Sequence, residues 1–405
     1  MNIFVGILGL GFLILIHEAG HFFVARVVGM NPRKFYLGFP PAIVKTKRNG
    51  IEYGIGAIPL GGYVKIPGMH RPAAGDLDMY FGRAIEEQPS LRRPVDALRT
   101  RLDESDYAGA LDAVRFLSPA LAEAKLSPSA AKAAERGLGD VEDALAPDAY
   151  WRAKTWKRVA VIFAGPGANL LFAIAIFAAV LMALSPAYRL GFEPRVAKDN
   201  TLTATINRVL PDTPAEEVGL RAGDRIAAIN GVAVDGDSVR PAIEASGGKP
   251  LRLTVERGGE TLELGPVRAE RSERLGLFKS VRQSLDYTWY VTKQIGGTVG
   301  RLVTGDGRKE ISSPVGIVQG SSQALEQGAS TYLTLLGLIS LSLALLNLLP
   351  LLPLDGGHIA FSLVEGIRGK AVTREVYERV SAVGIALVLL LFFIGLSNDI
   401  GRLGN

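Results

Sequence analysis

Long uncharged runs alternate with charged stretches along this chain, and four of the runs are too long for an ordinary core helix. Residues Ile3 to Ile16 are apolar, and the pattern resumes from Ala19 to Met30 apart from His21 and Arg26. At about 1.5 Å per helical residue such a run crosses a bilayer. A second run extends from about Val159 to Leu184. A third starts near Tyr332, stays uncharged to Leu354 and continues apolar past Asp355 to Val364. A fourth runs from about Val380 to Leu396. The pattern predicts four transmembrane helices, over residues 1–30, 158–185, 331–364 and 380–397. The first does not read as a cleaved leader, because Met1-Asn2 carries no basic residue and no small-residue cleavage site follows.

The stretches between the runs differ from one another. Residues 31–83 form a loop in which Ile51, Tyr53 and Ile55 alternate, followed by Pro59, Gly61-Gly62 and Tyr63-Val64-Lys65-Ile66. This predicts a β-hairpin over 51–66 at the membrane surface, and its proline belongs on a sheet edge. Residues 84–150 place Tyr107, Leu111, Val114 and Leu117 at helical spacing, with Pro119 and Pro128 expected to break the run. They predict a helical insertion, read as a solvated spacer, with a regulatory docking site as the alternative. Residues 196–280 hold short alternating runs such as Leu251-Arg252-Leu253-Thr254-Val255, separated by Asn230-Gly231 and Gly258-Gly259. They predict a mostly-β domain. Residues 281–330 read as an amphipathic linker, and the helical stretch from Phe278 to Val303, with Trp289 and Tyr290, suits the membrane surface.

Charge adds an orientation. The chain has 405 residues and a net charge of +5. Its basic residues crowd beside the apolar runs: Arg26, Arg33, Lys34, Lys45, Lys47 and Arg48 after the first, Arg152, Lys154, Lys157 and Arg158 before the second, Arg368, Lys370, Arg374 and Arg379 between the third and fourth. Such clusters mark the cytoplasmic side. The N-terminus, the region from about 186 to 330 and the C-terminus are then extracytoplasmic. A bilayer accounts for the basic excess, and no nucleic-acid motif is present. With no cysteine, disulfides and thiolate ligands are excluded.

Only four histidines occur, His17, His21, His70 and His358. His17 and His21 lie four apart inside the first apolar run, so they share a helix face. Two imidazoles at that spacing can reach one Zn2+ ion, with Glu18 beside it as a base for water. Ionisable groups in lipid cost several kcal/mol, order of magnitude, and a structural role explains none of that cost. A catalytic zinc takes three protein ligands and one open position. Asp355 is one candidate third ligand, in Asn347-Leu348-Leu349-Pro350-Leu351-Leu352-Pro353-Leu354-Asp355-Gly356-Gly357-His358. Its two prolines and two glycines should interrupt the helix, and irregular backbone at membrane depth belongs in protein or along a cavity. His358 is the rival, otherwise a hydrogen-bonded polar residue near the cytoplasmic boundary.

Two resemblances add to this reading. Gly219-Leu220, Gly223-Asp224, Ile226 and Ile229-Asn230-Gly231 form a string similar to the PDZ domains of bacterial envelope proteases. It implies peptide capture by strand addition, with Leu275-Gly276-Leu277-Phe278 as the carboxylate-binding loop. The order of His-Glu-x-x-His, then Phe163-Ala164-Gly165-Pro166-Gly167-Ala168-Asn169, then Leu354-Asp355-Gly356 resembles the site-2 protease family of intramembrane zinc metalloproteases, in its PDZ-containing RseP-like branch. That resemblance implies a polytopic α-helical membrane protein of the bacterial cell membrane with an inserted PDZ domain and a cytoplasmic β-hairpin. It implies zinc on His17, His21 and Asp355, Glu18 as general base, and Asn347 holding substrate backbone. Asn169, Gly61 and Gly62 are expected at the substrate too, the two glycines through pairing of the hairpin with an unwound substrate. Expected partners are single-span membrane proteins, such as anti-sigma factors or remnant signal peptides, and a peptide at the PDZ domain. The chain departs from some relatives in its single PDZ domain and its helical insertion. The alternative is a membrane PDZ scaffold with a structural or degenerate metal site, for which Glu18 would have no use.

Overall fold

The computed structural model describes residues 2–183, 188–196, 202–271, 275–304 and 313–403. Parts of the expected β domain (197–201, 272–274), of the linker (305–312) and of the second run (184–185) lie outside the described residues. Contacts divide the chain into two units, residues 1–174 with 288–405, and residues 175–287.

The first apolar run is one continuous helix, α1 (Asn2–Val27). Strands β1 (Lys34–Arg48) and β2 (Ile51–Lys65) follow, joined through Asn49-Gly50. Both turn residues have positive φ, 50° and 79°, as a tight hairpin turn requires. The hairpin therefore starts at Lys34 and not at Ile51, which corrects the sequence expectation. The overlooked signal was Asn49-Gly50. The register is doubled: Lys34 through Leu37 stand opposite Glu52 through Ile55 on one side and Lys65 back to Gly62 on the other. Gly62 to Lys65 thus form an outer lane of the sheet.

Helices α2 (Asp76–Glu87), α3 (Arg92–Asp103), α4 (Tyr107–Glu123) and α5 (Pro128–Leu145) then pack together. Leu77, Phe81, Leu91, Leu98, Val114 and Leu117 are buried in a core of their own, so this segment is a folded bundle and not a solvated spacer. Pro119 sits inside α4 without ending it, contrary to expectation. Pro128 takes the first turn of α5, where a missing N–H costs nothing, and Ser127 caps that turn through Ala130 N–H. The bundle grips the base of the sheet. Lys65 meets Asp140 at 2.8 Å and Asp143 at 2.9 Å, and Arg33 meets Asp143 at 2.9 Å and Asp148 at 3.1 Å.

Helix α6 (Thr155–Ala183) carries the second run. In the second unit, β3 (Tyr188–Arg189), β4 (Phe192–Val196), β5 (Leu202–Val209), α7 (Pro214–Glu217), β6 (Arg225–Ile229), β7 (Val232–Ala233), α8 (Val239–Ala245), β8 (Pro250–Arg257), β9 (Glu260–Arg268) and β10 (Glu270–Arg271) follow. The main sheet runs β4-β5-β6-β8-β9, with β7 paired to β6 and β3 paired separately to β10. Leu251, Leu253 and Val255 alternate inward along β8 onto Ile206, Ile226 and Ile243.

Helix α9 (Leu277–Thr304) exposes Trp289 and Tyr290, and α10 (Pro314–Glu326) follows. Asp399 accepts the N–H groups of Ser313 at 2.7 Å and Gly316 at 3.1 Å, capping the start of α10 from another helix. The third run is split into α11 (Ala329–Asn347) and α12 (Asp355–Arg368). Pro350 and Pro353 lie in the break, as expected. Gly356 and Gly357 do not: both are in the first turn of α12. A Cβ on either would strike backbone atoms of Leu348 to Leu352, so the glycines let that helix close onto the broken segment. Helix α13 (Arg374–Leu403) completes the chain. Among the described residues four helices are long and apolar enough to cross a membrane, Ile3–Val27, Thr155–Ala183, Ala329–Asn347 and Glu375–Gly401. The chain is a multi-pass membrane protein.

Candidate metal centre

His17 and His21 present their Nε2 atoms 3.2 Å apart on one face of α1. Asp355, opening α12, brings Oδ2 to 3.1 Å from His17 Nε2 and 3.5 Å from His21 Nε2. Among the described residues these three form a ligand group whose atoms all lie within 4.8 Å of one another. Zinc bonds of about 2.0–2.1 Å set tetrahedral ligand atoms about 3.3 Å apart. The observed separations match that edge, so the donor set fits Zn2+ with one position left open. His358 is one helical turn further along α12 and points elsewhere. Its ring nitrogens lie 3.0 and 3.2 Å from the Tyr377 hydroxyl, and it lines a cavity of about 850 Å³ with His70 and Tyr377.

Local sequence explains how the groups come so close. A Cβ on Gly20 would fall on the carbonyl of Ala164, and a Cβ on Gly165 would fall on the His21 imidazole. These two glycines let α1 and α6 approach until the His21 ring reaches across. There His21 Nδ1–H donates to the Val161 carbonyl at 2.8 Å, which turns Nε2 toward the centre. Spacing along α1 revealed the two histidines. Gly165 stood in the α6 motif that carries the resemblance, but nothing local marked Gly20 or Val161, which act only where two helices cross.

Glu18 is buried beside the triad and touches the sheet. A Cβ on Gly62 would lie 2.7 Å from Glu18 Cγ and 2.8 Å from the Tyr36 carbonyl. Only glycine lets that strand lane pass over the carboxylate. Gly61 is packed similarly against the Phe39 ring. Beneath the lane, Tyr36 stacks on Tyr63 with ring centroids 5.1 Å apart and donates to Glu52 at 2.7 Å. Burial, and then the Glu52 carboxylate, push the Tyr36 phenol up to about 12, so it stays a donor.

Other expected site residues stand apart. Asn347 is half-buried at the last residue of α11, where the broken segment begins. Asn169 is 0% exposed, with its carboxamide 3.5 Å from His17 Nδ1, so it backs a histidine. Leu275 and Gly276 precede α9, and Leu277 and Phe278 are its first residues, 58% and 90% exposed. A carboxylate-binding loop must lead into an edge strand, and this segment leads into a helix. Leu190-Gly191-Phe192 does lead into one: Gly191 has φ +91°, and β4, which follows, is an outer strand of the main sheet.

Comparison with known proteins agrees with a zinc site. The profile of Peptidase family M50 matches residues 5–391. The chain is 30% identical to Protease RseP of Yersinia pestis over 461 residues, covering 98% of each chain. It is 28% identical to Zinc metalloprotease RasP of Geobacillus kaustophilus, covering 97% of this chain and 96% of that one. Against Regulator of sigma-E protease RseP of Salmonella typhimurium it is 29% identical over 99% of both. The chain belongs to peptidase family M50, the site-2 proteases, and is a zinc metallopeptidase.

Proposed function

We propose that this enzyme cuts peptide bonds within or next to the transmembrane segments of single-span membrane proteins. The observation that carries the reading is the convergence of His17, His21 and Glu18, on a helix of membrane-spanning length, with Asp355 at the start of α12 after the broken segment. His17, His21 and Asp355 would hold Zn2+, which when bound acidifies a water and polarises a peptide carbonyl. Glu18, buried beside these ligands, would serve as the base that takes a proton from the attacking water and delivers it to the departing amine. Asn347, at the end of α11, donates to substrate backbone. A helical substrate must be unwound before cleavage, and the outer lane at Gly62 to Lys65 offers edge N–H and C=O groups to receive it. The contact of Gly62 with Glu18 supports this, since a segment added there lies over the base.

The basic clusters around 26–48, 152–158 and 368–379 favour a cytoplasmic sheet and helical bundle, with both termini and residues 188–271 outside. Residues 188–271 are read as a PDZ-like domain. An outer strand, β4, entered through Leu190-Gly191, suits strand addition by a peptide. Anti-sigma factors and remnant signal peptides are fitting substrates, each carrying a single membrane span.

The test is cleavage of a single-span model substrate in vesicles by wild type and by Glu18→Gln, with the products sequenced. Wild type should cut inside or within a few residues of the apolar segment. The variant should be slower by about 10²–10⁴-fold while keeping its zinc. Equal cleavage by both would remove Glu18 from the mechanism.

A further inference from the structure

Asn169 is an asparagine with no exposed surface, set in the middle of a membrane-spanning helix. Its backbone carbonyl accepts the Ser340 hydroxyl at 2.8 Å, which ties α6 to α11 and leaves the side chain free for another task. That side chain meets His17 Nδ1 at 3.5 Å through Nδ2, while its Oδ1 is buried without a partner. A buried carbonyl-type oxygen with no donor costs about 1–3 kcal/mol. The histidine imposes a second condition. His17 Nε2 faces Asp355 and His21, so a metal bound there takes the Nε2 lone pair and leaves the ring proton on Nδ1. A proton on Nδ1 pointing at an amide nitrogen sets donor against donor. The two ends of a carboxamide have the same size and shape. A half-turn of the Asn169 amide cures both faults at once, because Oδ1 then receives His17 Nδ1–H.

We infer that Asn169 is a positioning residue for the metal, accepting His17 Nδ1–H through Oδ1 and so fixing the tautomer and ring plane of that ligand. It does for His17 what the Val161 carbonyl does for His21. The two histidines come from one helix, and both hydrogen bonds behind them come from α6. Gly165 and Asn169, one turn apart in the middle of α6, thus act as the mould into which the α1 pair is pressed. A residue behind a ligand tightens metal binding without touching substrate.

This role rests on the zinc assignment made above, and one titration separates the two. Zinc affinity of the purified full chain is measured by competition with a chromophoric chelator, beside the melting temperature of the metal-free protein. Asn169→Leu keeps the size and removes the acceptor, and should bind zinc about 10–100-fold more weakly. Asn169→Asp restores an acceptor and should recover affinity to within a few-fold of wild type. Asn169→Ala is scored in the same way if the leucine variant does not fold. A packing role alone predicts a lower metal-free melting temperature with unchanged zinc affinity, and that result overturns the proposal. So does an aspartate variant as weak as the leucine one. A wild type that binds no zinc, or a His17→Ala variant that binds it equally well, takes down the zinc assignment itself and this role with it.

Discussion

Asp224 and Asp355 are both carboxylates withdrawn from water, and they are completed in opposite ways. Asp224, in the β unit, is 1% exposed and accepts Arg257 Nε at 2.7 Å, Arg257 Nη2 at 2.8 Å and the Arg221 N–H at 2.8 Å. A guanidinium fork supplies the whole counter-charge in fixed geometry. Burial alone would push the Asp224 carboxyl up. The Arg257 and Arg221 contacts outweigh it and hold the group below the usual carboxylate range. Asp355 faces two imidazole nitrogens whose other ring positions are engaged by Val161 and Asn169. Three acceptors therefore converge, and only a cation completes them. A structural carboxylate closes on the protein's own donors. A functional one is left unfinished by them.

The sharpest way to break this comparison is to remove a ligand. Asp355→Ala or His17→Ala should weaken zinc by more than the ~10–100-fold that loss of a supporting residue costs, and cleavage should fall to background. Chelation of wild type should do the same, and added zinc should reverse it. Retained zinc in Asp355→Ala would end the assignment.

Gly62→Ala comes next. Its Cβ must displace either Glu18 or the Tyr36 backbone, and such overpacking costs about 1–3 kcal/mol. Cleavage should drop by roughly 5- to 100-fold with zinc content unchanged, read by single-turnover kinetics and metal analysis. Equal loss of zinc would mean that the strand supports the metal and not the base.

Asp224→Asn should leave zinc and active-site chemistry alone and destabilise the β unit by about 1.5–3 kcal/mol, seen as faster hydrogen exchange across residues 202–271 of the whole chain. The folded carboxyl titrates below its unfolded value of about 4, so its contribution is complete above that value. It is lost as pH falls through the lowered folded value. The variant should lack this acid-dependent loss.

The smallest effect belongs to His358→Ala. With its nitrogens on Tyr377, it should keep zinc within a few-fold of wild type, measured by the same chelator competition.

The strengths and gaps of the sequence follow from range. The i, i+4 spacing of His17 and His21 is a local fact of one helix, and so it was legible. The apolar runs were legible for the same reason, since their length exceeds any soluble need. The hairpin was half legible: the alternation at Ile51 to Ile55 was found, but Lys34 to Arg48 was not joined to it. Pro40 and Pro41, inside an apolar run from Phe35 to Val44 that does not alternate, blur the period there. Leu275 to Phe278 misled because a loop of that composition also opens an amphipathic helix, and only the elements that follow tell the two apart.

By itself the sequence determined four membrane-length helices, a paired-histidine site within the first and a β-rich insertion, because each depends on neighbours a few residues away. The family motif already implied Asp355, but spacing left His358 open, and tertiary structure decided that Asp355 and not His358 meets the histidines. Those two residues are one turn apart on α12, and which of them faces α1 depends on how the broken segment 348–354 sets that helix. It also decided that Gly62 lies on Glu18 and Asn169 on His17, contacts between residues 44 and 152 positions apart in the chain. No periodicity encodes such meetings, because they arise only when separate helices and a sheet edge are packed against one another.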